Sequence, residues 1–207
     1  MSFSVFLIDD DAGVLKALSR LLRASGYDPH PYLSPRRFLA EFDPSTPGCI
    51  VLDLTMPELD GLELQRMLVE QQAKGLEHQI IFVAGTGDIS ASVQAMKAGA
   101  IDFLTKPVDV AQLQTAIELA RARDEGARSR SLARISVQDR IAKLTPREHE
   151  VLTHVLTGRL NKQIAAALGT TEKTIKVHRG RLKAKLGAHS VAELVRITDM
   201  AGVQPAA

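Results

Sequence analysis

Cys49-Ile50-Val51-Leu52-Asp53-Leu54-Thr55-Met56-Pro57, followed by Asp60-Gly61, is the stretch on which the fold turns. A short apolar run that ends on a carboxylate reads as a buried strand with an acid at its tip. Such an acid is costly unless a cation meets it. Two other runs end in charge. Phe3 to Ile8 leads into Asp9-Asp10-Asp11, and Phe103-Leu104-Thr105 leads into Lys106-Pro107. Acids and one lysine at the ends of different strands predict a single crevice that holds a cation and accepts a phosphate.

Working outward, apolar runs alternate with helical patterns. Strands are expected at Phe3–Ile8, Cys49–Leu52, Ile80–Val83 and Ile101–Leu104. A weaker one lies near Tyr27–Tyr32, where Pro29 and Pro31 restrict it to an edge. Between them, Val14, Leu15, Leu18, Leu21 and Leu22 recur at helical spacing. Ser34-Pro35 opens a second helix. Leu62 to Gln72, Ser90 to Lys97 and Asp109 to about Arg123 complete the set. This alternation predicts a (βα)5 doubly wound parallel sheet with helices on both faces, whose ligands bind at the carboxyl ends of the strands. The acids and Lys106 lie at those ends.

Composition sets the frame. Apolar residues make up 45% and charged residues 24%, which suits a globular chain with real cores. No apolar run approaches the ~18 residues of a membrane span. The start, Met1-Ser2-Phe3, carries no secretory pattern. The single cysteine, Cys49, excludes an internal disulfide and reads as packing. A cytoplasmic protein without membrane contact is expected. Residues 1–122 carry 10 Lys/Arg against 16 Asp/Glu, a net of −6, while 123–207 carry 16 against 8, a net of +8. Two domains with different partners are expected, joined by an Arg-, Ser- and Ala-rich helical and charged linker over 123–142. The basic part is the one suited to nucleic acid.

From 143 to 207 the chain reads as all-helical. Thr145-Pro146-Arg147-Glu148 is a capping box. Asn161 is placed to cap a short helix to Leu168, and Thr171 a longer one to Leu186. Ser190 and Glu193 form a further capping box. The tight Leu168-Gly169-Thr170 turn between two helices makes a helix-turn-helix pattern. With Ile175 at zero on a wheel of about 100° per residue, Leu182 and Leu186 fall on the buried side. Lys173, Val177, Gly180 and Ala184 fall opposite, flanked by Lys176, Arg181 and Lys183. Small residues ringed by cations suit a helix that enters a major groove of double-stranded DNA. His178, at the edge of the core face, reads as packing.

The pair Asp9 and Asp10 with the single Asp53 suits Mg²⁺, a hard cation that keeps part of its water. Asp53 is then free to act as nucleophile toward a phosphoryl group, with Lys106 touching a phosphate oxygen. Taken singly, each acid is better explained as a helix or loop cap. The combination with Lys106-Pro107 favours the crevice.

Residues 1 to about 122 resemble the receiver domain of bacterial response regulators, a flavodoxin-like fold. The resemblance rests on Ile8-Asp9-Asp10-Asp11, Leu52 to Pro57 with Asp60-Gly61, Ala95 to Ala100, and Asp102 to Pro107. It implies that Asp53 is the phosphoacceptor, that Asp9, Asp10 and the backbone carbonyl of Thr55 complete a Mg²⁺ site, that Lys106 contacts the phosphoryl group, and that Phe103 is an aromatic switch. Ala84 departs from the pattern: receivers usually carry Ser or Thr there, and alanine has no donor. Thr86, two residues on, offers a hydroxyl but reads more readily as a loop residue.

Residues 143 to 202 resemble the LuxR-type four-helix domain through Leu144 to Glu148, Asn161 to Ala165 and Thr174 to Leu186. The resemblance implies DNA contacts from Lys162, Lys173, Thr174, Lys176, Val177, Arg179, Arg181 and Lys183, with Lys176 and Val177 toward the groove. The last helix serves as a dimer contact. Together the two halves resemble the FixJ/NarL group. They imply a transcription regulator that is no enzyme, phosphorylated by a histidine kinase and active as a homodimer. Two rival readings remain. One is a DNA-binding protein whose receiver dimerises without phosphate, which Ala84 favours. The other is a phosphoaspartate phosphatase, disfavoured because Thr55 stands where such enzymes carry a second Asp.

Overall fold

Each apolar run forms a strand, and in the first half of the chain a helix follows each of them. The protein is described by a computed structural model over residues 3–72, 78–85 and 89–206. The strands are β1 (Ser4–Ile8), β2 (Asp28–Tyr32), β3 (Gly48–Asp53), β4 (Gln79–Ala84) and β5 (Asp102–Thr105). They form one parallel sheet in the order β2-β1-β3-β4-β5, so the proline-bearing β2 is an edge strand, as its missing N–H donors require.

The interleaved helices are α1 (Ala12–Ala24), α2 (Pro35–Glu41), α3 (Gly61–Gln72), α4 (Ile89–Lys97) and α5 (Val110–Ala142). Strand residues alternate between two cores. Val5, Leu7, Cys49, Val51, Ile81 and Val83 pack under α1 and α5. Phe6, Ile8, Ile50, Leu52, Phe82 and Ala84 pack under α2, α3 and α4. Burial on both faces is why the central strands are continuously apolar.

The chain divides into two compact units, one through Ser129 and the other from Arg130. The division falls inside α5, which does not end near Arg123 but runs on to Ala142. No proline interrupts 123–142, and its Ala, Arg and Leu residues favour the helix. Within the first unit, Arg128 pairs with buried Asp124 at 2.8 Å and donates to the carbonyls of Ser45 and Thr46. No helix among the described residues is long and apolar enough to cross a membrane.

The second unit packs α6 (Pro146–Leu156), α7 (Asn161–Ala167), α8 (Glu172–Leu186) and α9 (Val191–Met200) around Val151, Leu152, Ile164, Ile175, Leu182, Leu186 and Leu194. The Thr145–Glu148 capping box forms in both directions, at 3.2 and 2.9 Å. Two caps differ from expectation. Asn161 is the first helical residue of α7 rather than its cap, because its side chain is held elsewhere, and Gln163 takes the Leu160 N–H instead. Glu193 accepts from His189 N–H, one residue before the Ser190 cap, so the reciprocal half of that box is displaced.

Candidate functional site

Asp53 is the last residue of β3, Asp9 follows β1, and Lys106 follows β5. Parallel pairing in register carries all three to the same edge of the sheet. Lys106 Nζ lies 2.8 Å from Asp9 Oδ2 and 2.9 Å from Asp53 Oδ1. Carboxylate oxygens of Asp9, Asp10 and Asp53 lie within 4.8 Å of one another, with Asp9 and Asp53 buried and Asp10 exposed. Asp11 does the bland work, accepting the Gly13 and Val14 N–H groups as the cap of α1. The acids therefore separate by role: one caps a helix and three converge.

Burial pushes the Asp53 carboxyl above its ordinary value, against the pull of Lys106. At Lys106 burial acts downward, but the hydrogen bonds and charges of Asp9 and Asp53 outweigh it and raise the ammonium. The Lys106–Pro107 bond is cis. Among the described residues this is a cluster of three acids with one ammonium, all ligand atoms oxygen, and that donor set fits a hard divalent ion.

The walls follow from local sequence. Thr55 lies exposed in the loop directly after Asp53. Asp60 caps α3 by accepting the Glu63 N–H, and Gly61 N–H donates to Leu54 O, which folds the loop back on the site. A Cβ on Gly61 would stand 2.6 Å from Asp53 O and 2.9 Å from the Phe82 ring, so only glycine fits. Phe103 is half-buried and stacks on Phe82, ring centroids 6.2 Å apart. Ala84, at the end of β4, is 1% exposed in the apolar cluster, and its carbonyl accepts the Lys106 N–H. Thr86 lies outside the described residues.

On the second unit, Ile175, Leu182 and Leu186 of α8 are buried. Lys173, Lys176, Val177 and Arg181 are exposed on that helix, and Lys162 is exposed on α7. Thr174 is half-buried, and its N–H goes to the Thr171 cap. Lys183 is half-buried and donates to His189 O at 3.3 Å. Arg179 does not stand with the free cations: its Nη1 donates to Asn161 Oδ1 at 2.7 Å and the residue is half-buried. The signal was available, since Arg179 falls about 40° from Ile175 on the same wheel, toward the core. Gly169, at φ 60°, turns the chain between α7 and α8 in a conformation that L side chains resist.

One ion pair with a buried carboxylate escaped sequence reasoning. Lys185 Nζ lies 2.6 Å from Glu148 Oε2, whose side chain is 3% exposed, so the capping glutamate of α6 also anchors α8. Arg140, on α5, donates to Leu186 O at the carboxyl end of α8.

Comparison with known proteins agrees with both halves. Residues 5–118 match the response regulator receiver domain, and residues 142–198 match the luxR family of bacterial regulatory proteins. The chain is 40% identical over 195 residues to the response regulator protein TodT of Pseudomonas putida, covering 94% of this chain and 85% of TodT. It is 40% identical over 205 residues to the transcriptional regulatory protein FixJ of Azorhizobium caulinodans, covering 99% and 96%. Among solved structures, the response regulator StyR superposes with a TM-score of 0.81 at 38% identity, covering 96% and 99%. Full-length FixJ from B. japonicum gives 0.58 at 35%, covering 98% of each chain.

Proposed function

Because the chain belongs to the response regulators that join a receiver domain to a LuxR-type DNA-binding domain, we propose that Asp53 is the residue through which it is switched. The receiver is assigned to 1–122, a helical linker to 123–142 and the DNA-binding domain to 143–207. The observation that carries this reading is Lys106 between Asp9 and Asp53, at 2.8 and 2.9 Å, beside the third acid.

The chemistry is phosphoryl transfer from a histidine kinase. An Asp53 carboxylate oxygen attacks phosphorus, the phosphorus–nitrogen bond to the kinase histidine breaks, and an acyl phosphate forms. Asp9, Asp10, Asp53 and the Thr55 carbonyl are the residues suited to hold Mg²⁺. When bound, that ion offsets the charge of the acids and the incoming oxygens. Lys106 is near enough to exchange its contact with Asp53 for one with a phosphoryl oxygen. The phosphoryl group adds about −1.5 to −2 charge beside these acids, and the surrounding elements must respond. Phe103, stacked on Phe82 beside Ala84, is the ring placed to move.

The output is DNA binding by a homodimer. Lys162, Lys173, Lys176, Val177 and Arg181 form the exposed face toward DNA, with Thr174 and Lys183 at its margins. Arg179 positions that face through Asn161. Two such helices fit half-sites about one DNA turn apart.

Acetyl phosphate labelling in Mg²⁺ tests the acceptor. Asp53→Asn is expected to abolish labelling while leaving the fold intact. Undiminished labelling of that variant moves the acceptor elsewhere. Ala84 supports a second reading, in which the receiver dimerises without phosphate, because its buried methyl offers no donor to a phosphoryl group. Equal DNA affinity before and after phosphorylation would favour it.

A further inference from the structure

Lys16, Arg20 and Arg23 stand on one stripe of α1, four and three residues apart, in a half of the chain whose net charge is −6. Like charges so spaced repel one another. All three are exposed, and none pairs with a carboxylate among the described residues. On the α2 side, Arg36 pairs with Glu58 at 3.4 Å and Arg37 with Glu41 at 2.9 Å.

Beneath this stripe lies Ser19, 5% exposed, with no hydrogen-bond partner for its hydroxyl among the described residues. A helical serine ordinarily returns its O–H to a carbonyl one turn back. Ser19 lines a groove of about 430 Å³ between α1 and the segment from β2 into α2. Leu15, Pro31 and Leu33 supply apolar walls, with Arg37 among the lining residues. That volume is within the range of small-molecule sites, about 300–1,000 Å³.

We propose that this groove binds a phosphate-bearing organic molecule of nucleotide size. The α1 cations meet the phosphate oxygens, the Ser19 hydroxyl, buried in the free protein, turns toward the groove and donates to one of them, and the ring lies on Leu33 and Pro31. A phosphate offers more charge and more acceptors than a carboxylate, which suits several cations and a spare hydroxyl. The site is separate from Asp53 and does not depend on the role assigned there.

The test titrates the full-length protein with ADP and with pyrophosphate, in EDTA so that the acidic cluster holds no divalent ion, and follows backbone amide shifts. ADP is expected to give saturable shifts in α1 and residues 31–37, with Kd below about 1 mM, weakened at least about tenfold in Arg20→Glu/Arg23→Glu. Ser19→Ala is expected to weaken it about threefold, the loss of one hydrogen bond. Asp53→Asn and Lys173→Glu/Lys176→Glu should leave the Kd at this groove unchanged, which separates it from the acidic site and from polyphosphate binding by α8. Pyrophosphate should bind more weakly than ADP. No response up to about 5 mM, shifts confined to α8, an unaffected Arg20→Glu/Arg23→Glu variant, or pyrophosphate equal to ADP would each overturn the proposal.

Discussion

Arg179 of α8 donates to Asn161 at the start of α7, 2.7 Å from Nη1 to Oδ1, so the two helices of the turn are tied by a pair eighteen residues apart. One partner is charged and half-buried, a combination that makes the bond stronger than a neutral surface contact.

Arg179 and Lys176 should therefore behave differently when truncated. Arg179→Ala is expected to lower stability by about 1.5–3 kcal/mol, the range for a hydrogen bond to a charged group, and to weaken DNA binding through the misplaced helix. Lys176→Ala should leave the melting temperature unchanged and reduce the slope of log K against log salt by about 1. Calorimetric melts and salt-dependent anisotropy measure both. Equal melting temperatures for Arg179→Ala and the parent would remove its positioning role.

Gly61→Ala places a methyl against Asp53 O and the Phe82 ring. The expected cost is about 1–3 kcal/mol of overpacking, read from urea unfolding. The backbone that would have to yield is that of Asp53, so acetyl phosphate labelling should slow in the same variant. Normal labelling with normal stability would show that the loop can retreat freely.

Glu148 gives a pH dependence with a definite sign. The Lys185 hydrogen bond, then the Thr145 N–H, holds its carboxyl below the ordinary value of 4.5. A carboxyl depressed by folding stabilises fully above its unfolded value, and that contribution fades as pH falls through the folded one. Glu148→Gln should thus melt below the parent near neutral pH, and the gap should narrow as pH drops below about 4.5. A gap that stays constant across that window would refute the linkage.

Ala84→Thr supplies the hydroxyl that the end of β4 lacks. In phosphorylated protein the variant is expected to shift the monomer–dimer balance toward dimer, measured by light scattering after gel filtration. Ala84 is buried among apolar side chains, so the added atoms should also cost about 1–3 kcal/mol in the unphosphorylated state. An unchanged balance in both proteins would mean that no hydroxyl is needed at this position.

Much of this was legible from the order of residues alone. Alternating apolar runs and helical stripes determine a doubly wound sheet, because strands buried on both faces must be continuously apolar. Parallel strands carry their C-terminal residues to one edge, so acids after β1 and at the tip of β3 meet a lysine after β5. Local caps such as Thr145 with Glu148 were legible for the same reason: both partners lie within one turn. What lies between elements was decided only by tertiary packing. Asn161 looked like a cap until α8 brought Arg179 to it, and Glu148 meets Lys185 across 37 residues. The groove by Ser19 exists only because α1 settles beside the chain from β2 into α2. Periodicity states which face of a helix is buried; it carries no information about which helix will be waiting there.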